Sequence, residues 1–206
     1  MRRIRKLKAP SYLKENWKLW GKEWKAKYKN PARNNDFSWR CNVEDLIVNY
    51  LANATQSHCS FCDVDNINKG AAATIEHFKP KSKYFRIAYH YNNLYNCCGE
   101  CQKKNNRYET NLLKPDLPSY VFNEYFEIEL HTGKINPNPA KPLANRQQAE
   151  VTIRLYRLNE GEKPNLRLKV LYNYIDERDN AINPNLIDIN KFSYRFFIEE
   201  YIRLTS

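Results

Sequence analysis

The chain has 206 residues, 42% hydrophobic and 14% aromatic, enough apolar material for one sizeable core; this excludes a disordered tail and several large domains alike. No run approaches the roughly 18 apolar residues of a membrane span. The charged start MRRIRKLKAP leads into no apolar stretch, so a signal peptide is not expected and a cytoplasmic protein without membrane association is. The net charge of +11 is unevenly placed. Residues 1–40 hold 13 Lys/Arg against 3 Asp/Glu and residues 79–107 hold 7 against 1, whereas from residue 108 onward 13 basic residues meet 14 acidic ones. Two basic stretches on an otherwise balanced chain point to a polyanion-binding surface, with a merely solvated surface as the bland alternative.

In chain order, residues 1–55 read as a basic, Trp-rich helical region. Trp17, Trp20 and Trp24 recur at 3–4 residue intervals, forming an apolar stripe that packs on the body of the protein rather than stacking on bases. Asn30-Pro31 and Asn34-Asn35-Asp36 break that helix. A second helix is expected over 43–53, with Leu46, Ile47, Tyr50 and Leu51 on one side. Residues 56–115 are short and irregular: Thr74-Ile75-Glu76 reads as a strand, Asn93-Leu94-Tyr95 as another, and 99–108 as a polar helix. Residues 116–206 begin with a hairpin, 122–130 and 133–135, around the turn His131-Thr132-Gly133. Helices follow over 145–158, 165–180 and 193–204. The expected fold class is α+β, mainly helical.

Six cysteines in a chain read as cytoplasmic argue for metal ligands or reduced core thiols rather than a disulfide scaffold. Cys59-Ser60-Phe61-Cys62 and Cys98-Gly99-Glu100-Cys101 are two C-x2-C pairs with 35 residues between them. Two residues between cysteines let one tight turn aim both sulfurs at one ion, and two such knuckles complete a tetrahedral four-cysteine zinc site. The gap exceeds that of a common zinc ribbon, so a further element is threaded between the knuckles. Cys41 and Cys97 are expected to be buried free thiols. Cys97 adjoins Cys98, but only Cys98 keeps the spacing to Cys101. His58 and His90 lack the knuckle spacing.

Between the knuckles lie Ile75-Glu76-His77-Phe78-Lys79-Pro80-Lys81-Ser82 and Asn92-Asn93-Leu94-Tyr95-Asn96. Here the sequence resembles the HNH endonucleases, in which an Asp/Glu-His pair precedes a Pro, then Asn-Leu, then a C-x2-C knuckle opening a helix. More narrowly it is similar to the branch found in prokaryotic antiphage systems, the Septu nuclease subunits and retron-associated HNH proteins. The opening Met1-Arg2-Arg3-Ile4-Arg5-Lys6, the Leu113-Lys114-Pro115-Asp116 tract and Leu158-Asn159 extend that resemblance over most of the chain.

The resemblance implies a ββα-metal (HNH) core over residues 56–115, flanked by the N- and C-terminal helices and held by a structural zinc on Cys59, Cys62, Cys98 and Cys101. It implies a metal-dependent nuclease in which His77 takes a proton from the water that attacks a phosphodiester, DNA being the first expectation. Glu76 and Gln102 would bind a catalytic Mg²⁺ or Mn²⁺, and the Asn93 side chain would brace the loop that carries His77. Gln102 departs from the pattern, since Asn or His usually stands there; Asn105 stands where a Lys is common. Lys79, Lys81, Lys83, Arg86, Lys103, Lys104 and Arg107 flank the motif and are expected to neutralise phosphates without reading sequence. The family also implies an ABC/SMC-like ATPase subunit as partner, with the terminal helices as docking surfaces. Two other readings stay open: a non-catalytic zinc-knuckle module that binds nucleic acid, and a nuclease acting on RNA.

Overall fold

The computed structural model describes residues 1–30, 44–65 and 74–206; Cys41, the breaks at 31–36 and Gly70 lie outside the described residues. The fold is α+β and mainly helical, with two small antiparallel sheets. Helix α1 spans Ser11–Tyr28 and α2 spans Glu44–Thr55. Strands β1 (Thr74–His77) and β2 (Leu94–Cys97) pair antiparallel, with Glu76 opposite Tyr95 and His77 opposite Leu94. Helix α3, Gly99–Gln102, follows at once. A hairpin of β3 (Phe126–Glu129) and β4 (Lys134–Pro137) then leads into α4 (Leu143–Leu155), α5 (Lys163–Asn180) and α6 (Arg195–Thr205).

The Trp stripe packs inward. Leu13 and Trp24 are buried, Trp17 meets His90 edge-on at 4.6 Å, and Trp20 meets Tyr89 at 5.5 Å. On α2, Ile47 and Leu51 join the same cluster. Docking α1 this closely requires Gly21: a Cβ there would stand 2.8 Å from the carbonyl oxygen of Arg86 and 3.1 Å from that of Phe85. The larger core gathers both cysteine knuckles together with residues of α4, α5 and α6. Phe61, between the first two knuckle cysteines, stacks on Tyr156 at 3.8 Å and ties the knuckle to the end of α4. Each such fully buried ring contributes on the order of 2–3 kcal/mol.

The polar helix expected over 99–108 is one turn long. It ends at Gln102 with Lys103 as its C-cap, Asn105 takes a left-handed conformation (φ 52°) beyond it, and Lys104 turns into the interior instead of continuing an exposed face. The first hairpin strand is shorter than expected, since 122–124 form a 3-10 turn ahead of β3, whereas the second runs on to Pro137. Asn159 caps the hairpin by accepting from Ile135 N–H (3.0 Å) and donating to its carbonyl (2.7 Å).

The basic opening segment is partly structural. Arg2 pairs with Glu199 of α6 at 2.8 Å, and Ile4 N–H donates to Pro115 O. Lys6 is buried, donating to Tyr91 O (2.9 Å) and Leu94 O (2.7 Å) with its ammonium 3.7 Å from the Tyr95 ring centre. It is thereby withdrawn from any surface that a polyanion could reach. Burial lowers its pKa to about 7, opposed by Asp116.

The unfolded chain keeps the Lys6 proton to about 10.5, so between those values the unfolded state binds more protons and stability rises with pH. Urea unfolding from pH 7 to 9 is expected to show wild type gaining stability relative to Lys6→Met as pH rises. Parallel profiles for the two proteins would contradict this account of Lys6.

Candidate metal centre and adjoining cleft

Residues 59–63 form a turn whose ends are pinned: Asp63 N–H donates to Cys59 O at 3.0 Å and Cys59 N–H to Val64 O at 2.9 Å. Ser60 N–H donates to Asn96 O of β2 (2.9 Å), and Asn96 Nδ2 donates back to His58 O (3.0 Å), so the first knuckle is hydrogen-bonded to the sheet. The second knuckle opens α3, where the Cys98 sulfur caps the helix by accepting from Cys101 N–H at 3.5 Å. The ligand sulfurs of Cys59, Cys62, Cys98 and Cys101 are all buried and lie within 4.8 Å of one another. Cys62 Sγ and Cys98 Sγ are 3.6 Å apart, close to the roughly 3.8 Å edge of a tetrahedron with zinc–sulfur bonds of about 2.3 Å.

The donor set therefore fits zinc. Cys98 rather than Cys97 completes it: the Cys97 thiol is buried and donates to Cys98 O at 3.3 Å. His58 and His90 stand outside the cluster, His58 between the carbonyls of Gln56 and Phe192 and His90 against Trp17. Burial opposes ionisation of Cys59, but hydrogen bonds from Cys101 and Cys62 outweigh it and hold that thiol well below its ordinary range. The same contacts push Cys62 and Cys101 well above theirs. A divalent cation bound here would displace the thiol protons, since cysteine ligates as the thiolate.

The first knuckle is also clamped from behind. Asp63, in a left-handed conformation, accepts from Arg195 Nη2 at 2.6 Å and from Arg195 N–H at 2.7 Å, with both residues buried. Breaking a buried pair by removing one partner costs about 3–5 kcal/mol, so α6 is firmly joined to the cysteine turn.

Beside the cysteine cluster, β1, α3 and the turn after β1 enclose a cleft of about 310 Å³ lined by Glu76, His77, Lys81, Gln102, Lys103 and Asn106 among others. His77 sits at the end of β1 with Nε2 3.0 Å from Ala88 O. A carbonyl can only accept, so Nε2 carries the proton and Nδ1 bears the lone pair of the neutral ring. Burial, reinforced by Lys81, keeps the imidazole pKa well below its usual value, while the Ala88 bond pulls the other way. Asn93 braces this region: its Oδ1 accepts from Lys79 N–H (2.8 Å) and its Nδ2 donates to Lys79 O (2.9 Å) and Ile87 O (3.2 Å). Gln102 Nε2 donates to Ile75 O at 3.3 Å, leaving its carbonyl as the oxygen a cation could use.

Glu76 differs from expectation. It is buried with Oε1 2.7 Å from the Lys104 ammonium, and burial raises its pKa to about 7 against the opposing Lys104 charge. Lys104 is fully buried and also donates to Arg107 O at 3.0 Å. The expectation that Lys104 contacts phosphate is therefore wrong: a buried carboxylate and the carbonyls around it hold the ammonium inside. Lys81 and Lys103 do line the cleft. Lys79 lies between the rings of Tyr84 and Tyr108, and Arg107 is exposed but its guanidinium bonds the carbonyls of Lys103 and Lys104. Sequence reasoning missed Asn106, which accepts from Ser82 Oγ at 2.8 Å across the cleft mouth, and the Ala88 carbonyl that orients His77.

Metal analysis of the purified protein is expected to find about one zinc per chain. Cys97→Ser should keep that stoichiometry, whereas Cys98→Ser should lose it together with cooperative unfolding. Equal loss in both variants would contradict the assignment of the fourth ligand.

No protein-family model matches this chain, and no curated protein matches it.

Proposed function

We propose that this chain is a metal-dependent nuclease of the HNH type, cleaving nucleic-acid phosphodiesters, DNA foremost, with the β1–β2–α3 unit as its ββα-metal core. The observation that carries the reading is a buried histidine, His77, lining a cleft with its Nε2 3.0 Å from the Ala88 carbonyl and two candidate oxygen ligands, Glu76 and Gln102, lining the same cleft. The Ala88 bond leaves Nδ1 as the nitrogen that can accept a proton, which is what a general base needs.

In this reading Nδ1 of His77 takes a proton from water as the water oxygen bonds to phosphorus. The bond from phosphorus to the leaving sugar oxygen breaks, and that oxygen takes a proton from solvent. Asn93 keeps the turn at Lys79 in place, and with it the position of the imidazole. Lys81 and Lys103 hold the flanking phosphates. A Mg²⁺ or Mn²⁺ ion on the Glu76 carboxylate and the Gln102 carbonyl, with water and phosphate completing its shell, would neutralise charge on the scissile phosphate. A zinc held by Cys59, Cys62, Cys98 and Cys101 would have all four positions filled by sulfur and would serve the fold alone.

The resemblance to antiphage HNH proteins supports a role as the nuclease effector of a defence complex with an ABC/SMC-like ATPase subunit. One observation favours a second reading, a non-catalytic zinc-anchored module that binds nucleic acid. The Lys104 ammonium already neutralises Glu76 and competes with a cation for that carboxylate.

Supercoiled plasmid and a structured RNA, incubated with Mg²⁺ or Mn²⁺ with and without an ABC/SMC-like ATPase subunit as the proposed partner, separate the two. The nuclease reading expects nicking or linearisation of the plasmid by wild type and a loss of about 100-fold or more in His77→Ala. Binding without cleavage by either protein would establish the second reading, and equal cleavage by both would remove His77 from the mechanism.

A further inference from the structure

Helix α1 and its C-cap residue carry Lys14, Lys18, Lys22, Lys25 and Lys29, all exposed and spaced by three or four residues. At about 100° per residue these side chains fall within an arc of about 80°, and over about 22 Å of helix they form one ridge. Glu15 and Glu23 lie outside that arc. Among the described residues, Lys14, Lys18, Lys22 and Lys25 form no ion pair with an acid. Like charges three and four apart repel, at a cost of a few tenths of a kcal/mol per pair, so the ridge weakens the helix that bears it.

The ridge also borders a built groove. Lys18, Lys22 and Lys25 line a cavity of about 630 Å³ together with Trp17, Arg86 and Ile87. The turn that supplies Arg86 continues into the Ala88 carbonyl on which His77 rests. Trp24, buried in the inner face of α1, donates through Nε1 to Lys81 O at 3.0 Å, and Lys81 lines the cleft. The helix that bears the ridge is thus bonded directly to the wall of the cleft.

We propose that the groove between the α1 lysine ridge and the 85–87 turn is a second nucleic-acid site, which holds the phosphate backbone of a strand running on from the cleft. The proposal rests on the nuclease reading for its orientation, but the groove would bind a polyanion whether or not the cleft cuts it. Regular cationic spacing over several phosphates, the absence of acidic partners for Lys14, Lys18, Lys22 and Lys25 among the described residues and a half-buried aromatic side chain in the lining favour a nucleic acid over an acidic protein surface. Such a site contributes affinity and register without reading bases.

Binding of a fluorescent duplex of about 30 base pairs, followed by anisotropy against salt without added Mg²⁺, tests this on the full chain. The ridge variant is Lys18→Gln with Lys22→Gln and Lys25→Gln, since Gln keeps helix propensity close to that of Lys. A control with the same charge change combines Lys134→Gln, Arg146→Gln and Lys169→Gln, all exposed or half-exposed and away from α1. The ridge variant is expected to bind about 10-fold or more weaker and to lower the slope of log K against log salt by about 2–3, each lost phosphate contact removing about 0.9. The control should stay within about one unit of the wild-type slope. Equal effects in ridge and control variants, or no effect of the ridge variant, would overturn the proposal; the latter would leave an acidic protein as the occupant. Plasmid cleavage that depends on His77 while the ridge variant binds normally would sink the groove alone. Ridge-dependent binding with no cleavage would sink the nuclease alone.

Discussion

Four thiols brought to one buried point govern how the rest of the molecule is arranged. The β1–β2 pair has four residues per strand and α3 a single turn, too little for independent stability. The cysteine cluster closes both ends of this unit, the first knuckle through Ser60 and Asn96 and the second through the start of α3. The Asp63–Arg195 pair and the Phe61–Tyr156 stack carry the constraint outward into α6 and α4. A metal compatible with the cluster would join segments 35 residues apart, removing chain freedom that so small a sheet cannot remove alone.

From the opposite side, α1 sets the turn that orients His77. Gly21 lets the helix lie against the Phe85 and Arg86 carbonyls, and the next residues of that turn present Ile87 O to Asn93 and Ala88 O to His77. The imidazole is held between a sheet anchored at the cysteine cluster and a helix-anchored turn. The Glu76–Lys104 pair beneath the cleft adds a buried charge couple. Such a pair is weak support for stability but strongly penalises the loss of either partner.

Much of this was legible from residue spacing. The two C-x2-C pairs identify the cluster and even the correct cysteine of the adjacent pair, because a knuckle turn admits only one spacing. The strands at 74 and 94 and the C-terminal helices were legible from their periodicity. Lys104 was not: a lysine count cannot distinguish an exposed ammonium from one turned inward, and the expected helix ends at Gln102 before reaching it. The opening cluster misled in the same way, since Lys6 and Arg2 serve partners 85 or more residues away. The Ala88 carbonyl leaves no sequence signature at all, because any residue supplies a carbonyl. The family resemblance led to the pairing of Glu76 and His77 with Asn93. The α1 ridge had been readable only as charge until the helix gave it a face.

The link from the cysteine cluster to His77, through the β1–β2 pair that presents the imidazole to the Ala88 carbonyl, is most directly tested by the ¹⁵N resonances of that imidazole with zinc bound and after chelation. The account predicts a neutral ring protonated on Nε2 at pH 7 in the zinc-bound protein, titrating well below the ordinary histidine range. Chelation should return His77 to a mixed tautomer with ordinary titration. Imidazole resonances unchanged by metal removal, or a ring protonated on Nδ1 with zinc bound, would contradict it.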